Sequence, residues 1–469
     1  MRTSLLQILA AAGALAAGTE PSYTTSRVPF STIEPSPASI SAAQATVQPL
    51  SPTSNVKGVA FDRIFQIWLE NTNFNVSAAD TNMQWLASQG ILLTNYHAVT
   101  HPSEPNYAAS VAGDTFGLDN DDFIRFPTNI STVVDLLDSK GIAWGEYMEH
   151  SPYAGFQGFN YSNQQNYAND YVRKHNPLVL FDSVSQNETR VRQIKNFTSF
   201  YDDLHAKALP QWAFITPNMS NDAHDTNLTF AASWARSFLE PLLADDYFMN
   251  NTLVILSFDE NEIYTESNRV FTVLLGGAID KSLNGTTDDT FYSHYSTIST
   301  VSQNWDLPSL GRWDCDANVL ALVANKTGYR NADVSTKGLF FNVSYPGAVS
   351  DGKNTPGWWP APDTLAKCTT GKGVLPAIVA AWGNSSGTYN YTNVYPYDAL
   401  SGTGTGGTPV VGSADAGGGS SGGGGSSGSP TSTTGSAASP SKTNAAATVV
   451  AQPFVVALLG LVGVVAGVI

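Results

Sequence analysis

The stretch that decides the fold is Arg63-Ile64-Phe65-Gln66-Ile67-Trp68-Leu69, followed at once by Glu70-Asn71. It is a compact apolar run bounded by polar residues. It reads as a buried strand with a carboxylate and an amide at its carboxyl end. The same grammar recurs downstream. Asn82–Ser88 reads as a helix stopped at Gly90, and Ile91–Tyr96 as a strand. Pro105 sits where a helix can begin and run toward Ala112. Ser131–Ser139 carries an N-cap and the apolar set Val133, Val134, Leu136 and Leu137. Ile142–Tyr147, Trp212–Ile215, Leu253–Phe258 and Val270–Leu275 read as strands, Phe230–Leu243 and His294–Trp305 as helices. Strands alternating with helices predict an α/β fold, a mostly parallel sheet with helices on both faces. Such sheets bind ligands beyond the carboxyl ends of their strands, and here polar clusters follow strand after strand.

Composition narrows the function. The 469-residue chain has a formal net charge of −16, which argues against nucleic acid, since little would neutralise its phosphates. There is also no cationic patch large enough to grip a membrane. The two cysteines, Cys315 and Cys368, read as one disulfide in a secreted chain.

The ends carry targeting signals. Arg2, the apolar run Leu5–Leu15 and the small-x-small site Ala14-Leu15-Ala16 predict a signal peptide over 1–16. Residues 17–54, rich in Ser, Thr and Pro, read as a disordered leader. The catalytic domain is expected over 55–400, a size ordinary for one large α/β enzyme. A Gly/Ser/Thr-rich tether follows over 401–444. Residues 445–469, ending in the uncharged apolar run Pro453–Ile469, read as a GPI-attachment propeptide with Asn444 as the ω site and Ser439 or Ser441 as alternatives. The expected address is the secretory pathway and the cell surface, anchored to the plasma membrane by lipid, with transfer to the cell wall a further possibility. Twelve sequons are expected to carry sugar: Asn75, Asn129, Asn160, Asn187, Asn196, Asn227, Asn250, Asn284, Asn325, Asn342, Asn384 and Asn390. A thirteenth, Asn218, lies inside a polar motif and is expected to be buried and unmodified.

Four further clusters join Glu70-Asn71. In His101-Pro102-Ser103-Glu104-Pro105-Asn106-Tyr107 a serine stands ahead of a proline-started helix, where the helix dipole and free N–H groups favour a phosphoryl anion. The same field suits that serine as a nucleophile, although an N-cap serine is also common. Thr216 to Asp225 packs Asp222, His224 and Asp225 onto one post-strand loop, as metal or phosphate ligands do, although an Asx-turn with a surface histidine reads the same way. Asp259-Glu260 sets two carboxylates directly after an apolar strand, costly unless a cation or a proton offsets them. His294 opens a helix after Ser293. Phosphoryl transfer needs a nucleophile, positive charge on the equatorial oxygens and an acid for the leaving group. A Walker A loop, a strand-to-helix Gly-x-Ser-x-Gly elbow and a dinucleotide fingerprint are all missing from the core.

The ordered set Glu70-Asn71, Ser103-Glu104-Pro105-Asn106, Lys174-His175-Asn176-Pro177, Thr216-Pro217-Asn218 with Asn221 to Asp225, Asp259-Glu260 and Ser293-His294-Tyr295-Ser296 resembles the phosphoesterase family. That family holds phospholipases C and acid phosphatases, and the likeness runs from about Lys57 to Leu310. In style it is closest to the family's fungal, secreted, GPI-anchored acid phosphatases. The resemblance implies an alkaline-phosphatase-like fold and a set of roles. Ser103 matches the nucleophile and Asn106 the asparagine of its motif. His175, His224 and His294 match histidines near the phosphate or leaving group. Glu70, Asn71, Asp222, Asp259 and Glu260 stand where a divalent metal ion of unspecified identity would be held. Two departures stand out: Ser293 replaces an acid before His294, and Asn261-Glu262 replaces a Gly-rich turn after the acidic pair. The second favours phosphatases over phospholipases.

The expected reaction is hydrolysis of phosphate monoesters outside the cell, through a phosphoserine at Ser103. A metal or a protonated histidine cluster would hold the oxyanion, and His175 or His224 would protonate the leaving oxygen. Histidine, with an ordinary pKa of about 6.5, is charged on the acid side. The rival enzyme reading is a phospholipase C acting on lipid head groups. The rival of another class is a catalytically dead cell-wall glycoprotein. The oligomeric state is not legible.

Overall fold

The structure, a computed structural model, describes residues 31–341, 349–350 and 359–385. The signal peptide, the leader up to residue 30, the tether with Asn444, the anchor propeptide, and the sequons Asn342 and Asn390 lie outside the described residues.

Eight strands form one sheet: β1 (Arg63–Leu69), β2 (Ile91–Leu93), β3 (Trp144–Met148), β4 (Ile194–Lys195), β5 (Trp212–Thr216), β6 (Thr252–Phe258), β7 (Thr272–Leu275) and β8 (Thr286–Asp288). Their order is β8-β2-β7-β6-β1-β5-β3-β4. All pairings are parallel except the two that β7 makes with β6 and β2. The expected α/β class with a mostly parallel sheet is what the chain forms.

β1 is central, and six of its seven residues are buried. Its two faces pack on different helices. Phe65 meets Phe200 of the Phe197–His205 helix and stacks on Phe248. Trp68, three residues on and so on the opposite face, meets Tyr107 of the Ser103–Ala112 helix and the ring of His294, which opens the His294–Trp305 helix. A strand covered on both faces must be apolar throughout, which is why Arg63–Leu69 shows no polar alternation.

The structure refines several expectations. The helix placed at Pro105 starts at Ser103, because proline is tolerated anywhere in a first turn, where its missing N–H has no partner to lose. It ends at Gly113, whose φ of 75° is the left-handed C-cap that glycine adopts without strain. Ile91–Tyr96 divides: Ile91–Leu93 joins the main sheet, while Tyr96–His97 pairs with Tyr292–Ser293. β4 and β8, two and three residues long, are too short to leave a periodic signal.

The disordered leader is corrected in part. Pro37–Thr46 is a helix, with Ser36 accepting from the Ser39 N–H as its cap. The segment is tied to the domain by Gln44 Nε2 donating to the Pro152 carbonyl, Leu50 N–H to the Arg192 carbonyl, and Ser54 Oγ to Gln211. These bonds to the folded domain supply what a polar, low-complexity segment lacks by itself. Cys315 and Cys368 form the expected disulfide. Toward the end of the described residues, Pro376–Trp382 is helical, and its Trp382 Nε1 donates to the Asn129 carbonyl, so this part packs on the domain.

Candidate active site

β6, β1 and β5 are adjacent and parallel, and Leu69 is in register with Phe258. The residues that follow these strands therefore emerge side by side. Glu70 follows β1, Asp259 and Glu260 follow β6, and Asp222 lies in the loop after β5. All four are buried. Backbone bonds lock the three strand ends together: Glu70 N–H donates to the Asp222 carbonyl at 2.8 Å, and Asp259 N–H to the Leu69 carbonyl at 3.0 Å. Asn71 turns the chain with a φ of 38°, tolerable for asparagine, and its N–H donates to Asp259 Oδ1 at 3.1 Å. Ala223 has a φ of 96°, a strained backbone between Asp222 and His224.

Ser103 is the first residue of its helix and is buried against this acidic floor. Its hydroxyl donates to Glu70 Oε2 at 3.2 Å, and Glu260 Oε1 lies 3.5 Å away. Asn106, the motif's asparagine, grouped by the resemblance with the catalytic residues, is bonded through both ends of its amide. Its Oδ1 accepts from Val99 and Thr100 N–H groups, and its Nδ2 donates to the Thr100 and Pro102 carbonyls and to Glu260 Oε2 at 3.3 Å. It braces the loop before Ser103 and positions Glu260.

His175 lies between two carboxylates. Its Nε2 is 3.2 Å from Glu70 Oε1 and its Nδ1 3.4 Å from Asp222 Oδ2. Tyr107 stacks on the ring and donates its hydroxyl to Glu70 Oε1 at 2.6 Å. Burial, then Lys174 and His224, push the His175 pKa well below the ordinary value. A neutral, enclosed imidazole does not suit the acid role expected of it. His224 is partly open, lines the cavity above the site, and has its Nε2 3.3 Å from Lys174 Nζ and its Nδ1 2.8 Å from Asp225 Oδ1. His294 is fully enclosed: its Nε2 is 2.6 Å from the Asp259 carbonyl and its Nδ1 3.3 Å from the Tyr96 hydroxyl. Burial lowers its pKa to about 3. With both nitrogens engaged, it positions Asp259.

Like-charge crowding shapes the electrostatics. Burial, followed by the charges of Asp259 and Asp222, raises the Glu70 pKa. Burial likewise raises Asp222 and Glu260, and lifts Asp259 to about 6. Lys174 is the cation facing this cluster. Burial would lower its pKa, but Asp121, bonded at 2.9 Å, and the Glu70 charge outweigh that and keep it above the usual lysine range. Lys174, Asp121 and Tyr107 do not stand out as site residues in the sequence. Lys174 is legible there only as the residue before His175 in the motif.

Glu70, His175 and Asp222 each offer one ligand atom, all within 4.8 Å of one another. Both His175 ring nitrogens and Asp222 Oδ2 are buried without a hydrogen-bond partner. A carboxylate oxygen and an imidazole left without partners, beside the Glu70 carboxylate, fit a divalent metal ion. Asp259 and Glu260, expected as ligands too, stand on the Ser103 side. Asp259 Oδ2 is likewise buried without a partner. Above the site opens a cavity of about 760 Å³, lined by Asn71, Glu260, His224, Tyr264, Leu228 and Asp80 among others.

Residues 68–308 match the Phosphoesterase family, and the chain belongs to that family: it is a phosphoric ester hydrolase. Among its relatives is an acid phosphatase of Aspergillus fumigatus, 63% identical over 375 residues, covering 79% of this chain and 84% of that protein. A phosphate-repressible acid phosphatase of Penicillium chrysogenum is 55% identical over 372 residues, covering 79% of this chain and 90% of that one. A phosphatidylinositol-3-phosphatase of Mycobacterium tuberculosis is 31% identical over 229 residues, covering 48% of this chain and 70% of its own. Of solved structures, a Vibrio parahaemolyticus protein in the alkaline phosphatase superfamily matches with a TM-score of 0.37 and 9% identity, over 56% of this chain and 73% of that one.

Proposed function

We propose that this chain is an acid phosphatase that hydrolyses phosphate monoesters through a phosphoserine at Ser103. The observation that carries the reading is the Ser103 hydroxyl, buried at a helix N-terminus and flanked at 3.2 and 3.5 Å by two carboxylates, of which Glu260 also lines the cavity above. The acid phosphatases to which it is similar over most of its length support the monoester class.

Ser103 Oγ attacks phosphorus while its proton passes to one of the flanking carboxylates, and the bond from phosphorus to the leaving oxygen breaks. The helix N-terminus and Lys174 stabilise the negative charge of the transferring group. His224, partly open at the cavity wall, gives the leaving oxygen its proton, a role closed to His175 by its enclosure. Water then attacks phosphorus and gives a proton to His224, the phosphoserine P–O bond breaks, and Ser103 regains its proton from the carboxylate, leaving free phosphate. A divalent metal held by Glu70, His175 and Asp222 would supply Lewis-acid charge stabilisation. Asn106 and His294 hold Glu260 and Asp259 in place.

The secretory leader, N-linked sugar and a lipid anchor at Asn444 belong to the same proposal, supported by the sequence at both ends and by the sequons. Seven sequon asparagines are exposed (Asn75, Asn187, Asn227, Asn250, Asn284, Asn325 and Asn384), and Asn129, Asn160 and Asn196 are half-buried. Asn218 is buried.

The test is an assay on p-nitrophenyl phosphate against p-nitrophenyl phosphorylcholine between about pH 4 and 8, spanning the ordinary histidine titration. Monoester turnover strongest on the acid side supports the reading. Preference for the choline diester would replace it with a phosphodiesterase, and inertness on both would leave a dead enzyme fold.

A further inference from the structure

Away from the catalytic cavity, a second cavity of about 460 Å³ is lined by Glu149, His150, Asn196, Phe197, Thr198, Tyr201, Trp234, Ser237 and Phe238. Its wall is aromatic and ordered. Trp234 and Phe238 stack with ring centroids 5.1 Å apart and planes 6° from parallel, and Phe197 stacks on Phe238 at 5.5 Å. These rings sit on two helices, Phe197–His205 and Leu228–Leu242, so the platform is rigid. Tyr201 is 43% exposed, and the His150 side chain is half exposed. The polar end holds Glu149, whose Oε2 accepts from Asn218 N–H and Asn221 Nδ2, and His150, 2.6 Å from Asp170. Flat rings with a few polar groups at one end suit a ligand with one apolar face and a hydroxyl-rich edge, and the volume falls in the range of roughly 300–1,000 Å³ typical of small-ligand sites. A pyranose ring has that character.

The occupant is identified by the wall itself. Asn196-Phe197-Thr198 is a sequon, and all three residues line the cavity. The Asn196 amide is fixed: Oδ1 accepts from Ser199 N–H as the helix cap, and Nδ2 donates to the Ser151 carbonyl. An N-linked asparagine keeps one N–H, so attaching a sugar leaves both bonds available. A second sequon, Asn227-Leu228-Thr229, also has all three residues on a cavity wall. That wall belongs to the catalytic cavity, whose lining carries no stacked pair of aromatic rings among the described residues.

We infer that the first N-acetylglucosamine of a glycan on Asn196 folds back into this cavity and packs on the Phe197–Trp234–Phe238 aromatic wall, making that sugar part of the folded structure. The inference needs Asn196 to be glycosylated. It does not depend on which phosphate ester the enzyme cleaves.

The experiment uses the glycosylated full chain. Peptide mapping by mass spectrometry reads occupancy at Asn196. Thr198→Ala removes the sequon and leaves Asn196 to cap its helix, while Asn284→Gln removes an exposed site for comparison. Thr198→Ala is expected to lower Tm by about 2 °C, and Asn284→Gln to leave it unchanged. Trimming native glycans to a single residue with endoglycosidase H should leave Tm unchanged as well. In a Trp234→Ala background, or Trp234→Leu if the first does not fold, Thr198→Ala should cost nothing further. An unmodified Asn196 overturns the inference. So does equal behaviour of the two sequon variants, loss of the stabilisation on trimming, or an undiminished cost without Trp234.

Discussion

Ser103 and Glu70 lie 33 residues apart in the chain, yet the Ser103 hydroxyl donates to Glu70 Oε2 at 3.2 Å. The bond joins a helix N-terminus to the end of the central strand, and it ties the proposed nucleophile to the proposed metal cluster. Ser103→Ala should therefore cut monoesterase activity by on the order of 10³-fold or more, with circular dichroism and Tm close to those of the parent. Retention of the parental rate would remove Ser103 from the chemistry.

Asp222 holds one side of the Glu70–His175–Asp222 group and has an oxygen without a partner. Asp222→Asn is expected to lower divalent-metal content, measured by elemental analysis after gel filtration, with affinity falling at least about 10-fold. Added metal should raise the Tm of the parent more than that of the variant, since a ligand stabilises the state that binds it. Equal metal content in the two proteins would remove Asp222 from the ligand set.

Lys174 is the cation at this acidic floor, bonded to Asp121 and 3.3 Å from His224. Lys174→Met should reduce kcat/KM by about 10²-fold, the usual cost of a lost charge stabiliser. Substrate-concentration curves will show how this divides between KM and kcat. A variant with unchanged kcat/KM would make the lysine purely structural.

His97 is buried, with Nε2 2.9 Å from Asn95 Oδ1, and burial followed by the Arg269 charge lowers its pKa to about 3. A histidine with a depressed folded pKa favours folding fully above its unfolded value of about 6.5. That contribution is lost as pH falls from there toward the folded value, because the unfolded chain then binds the extra proton. Tm should fall across this window, and the slope should be shallower in His97→Gln. The same acid slope in both proteins would assign the loss to other groups.

The disulfide Cys315–Cys368 closes a loop with a sequence separation of 53. In the chain-entropy picture, removing a cross-link of that span costs about 4 kcal/mol. Cys315→Ser with Cys368→Ser should shift the urea midpoint downward, while the site residues, on other elements, keep their geometry. An unchanged midpoint would show that this region contributes little to the cooperative unit.

Much was decided locally. Arg63–Leu69 had to be a doubly covered strand, because seven residues with so little polarity leave neither face for water. The His294–Trp305 helix falls where its residues place it, and the alternation of such runs sets the α/β class. Glu70, Asp222, Asp259 and Glu260 are legible without knowledge of a single contact, since polar residues directly after apolar strands collect at one edge of a parallel sheet; Ser103 is legible from its place ahead of a helix, and His175 only from the resemblance to the family's motifs.

What the sequence could not divide was the labour among them. Three histidines of equal standing in the motifs have three environments: His175 enclosed between carboxylates, His224 partly open at the cavity wall, His294 bonded on both nitrogens to Asp259 and Tyr96. Asn106 proved a brace, and Lys174 a site cation. Burial and the nearest charges, not residue type, set whether an imidazole can donate a proton. These depend on residues brought together from far along the chain. Residue type and order thus determined which groups could react, and tertiary packing decided which of them face the cavity, because solvation and neighbouring charge are properties of the assembled site.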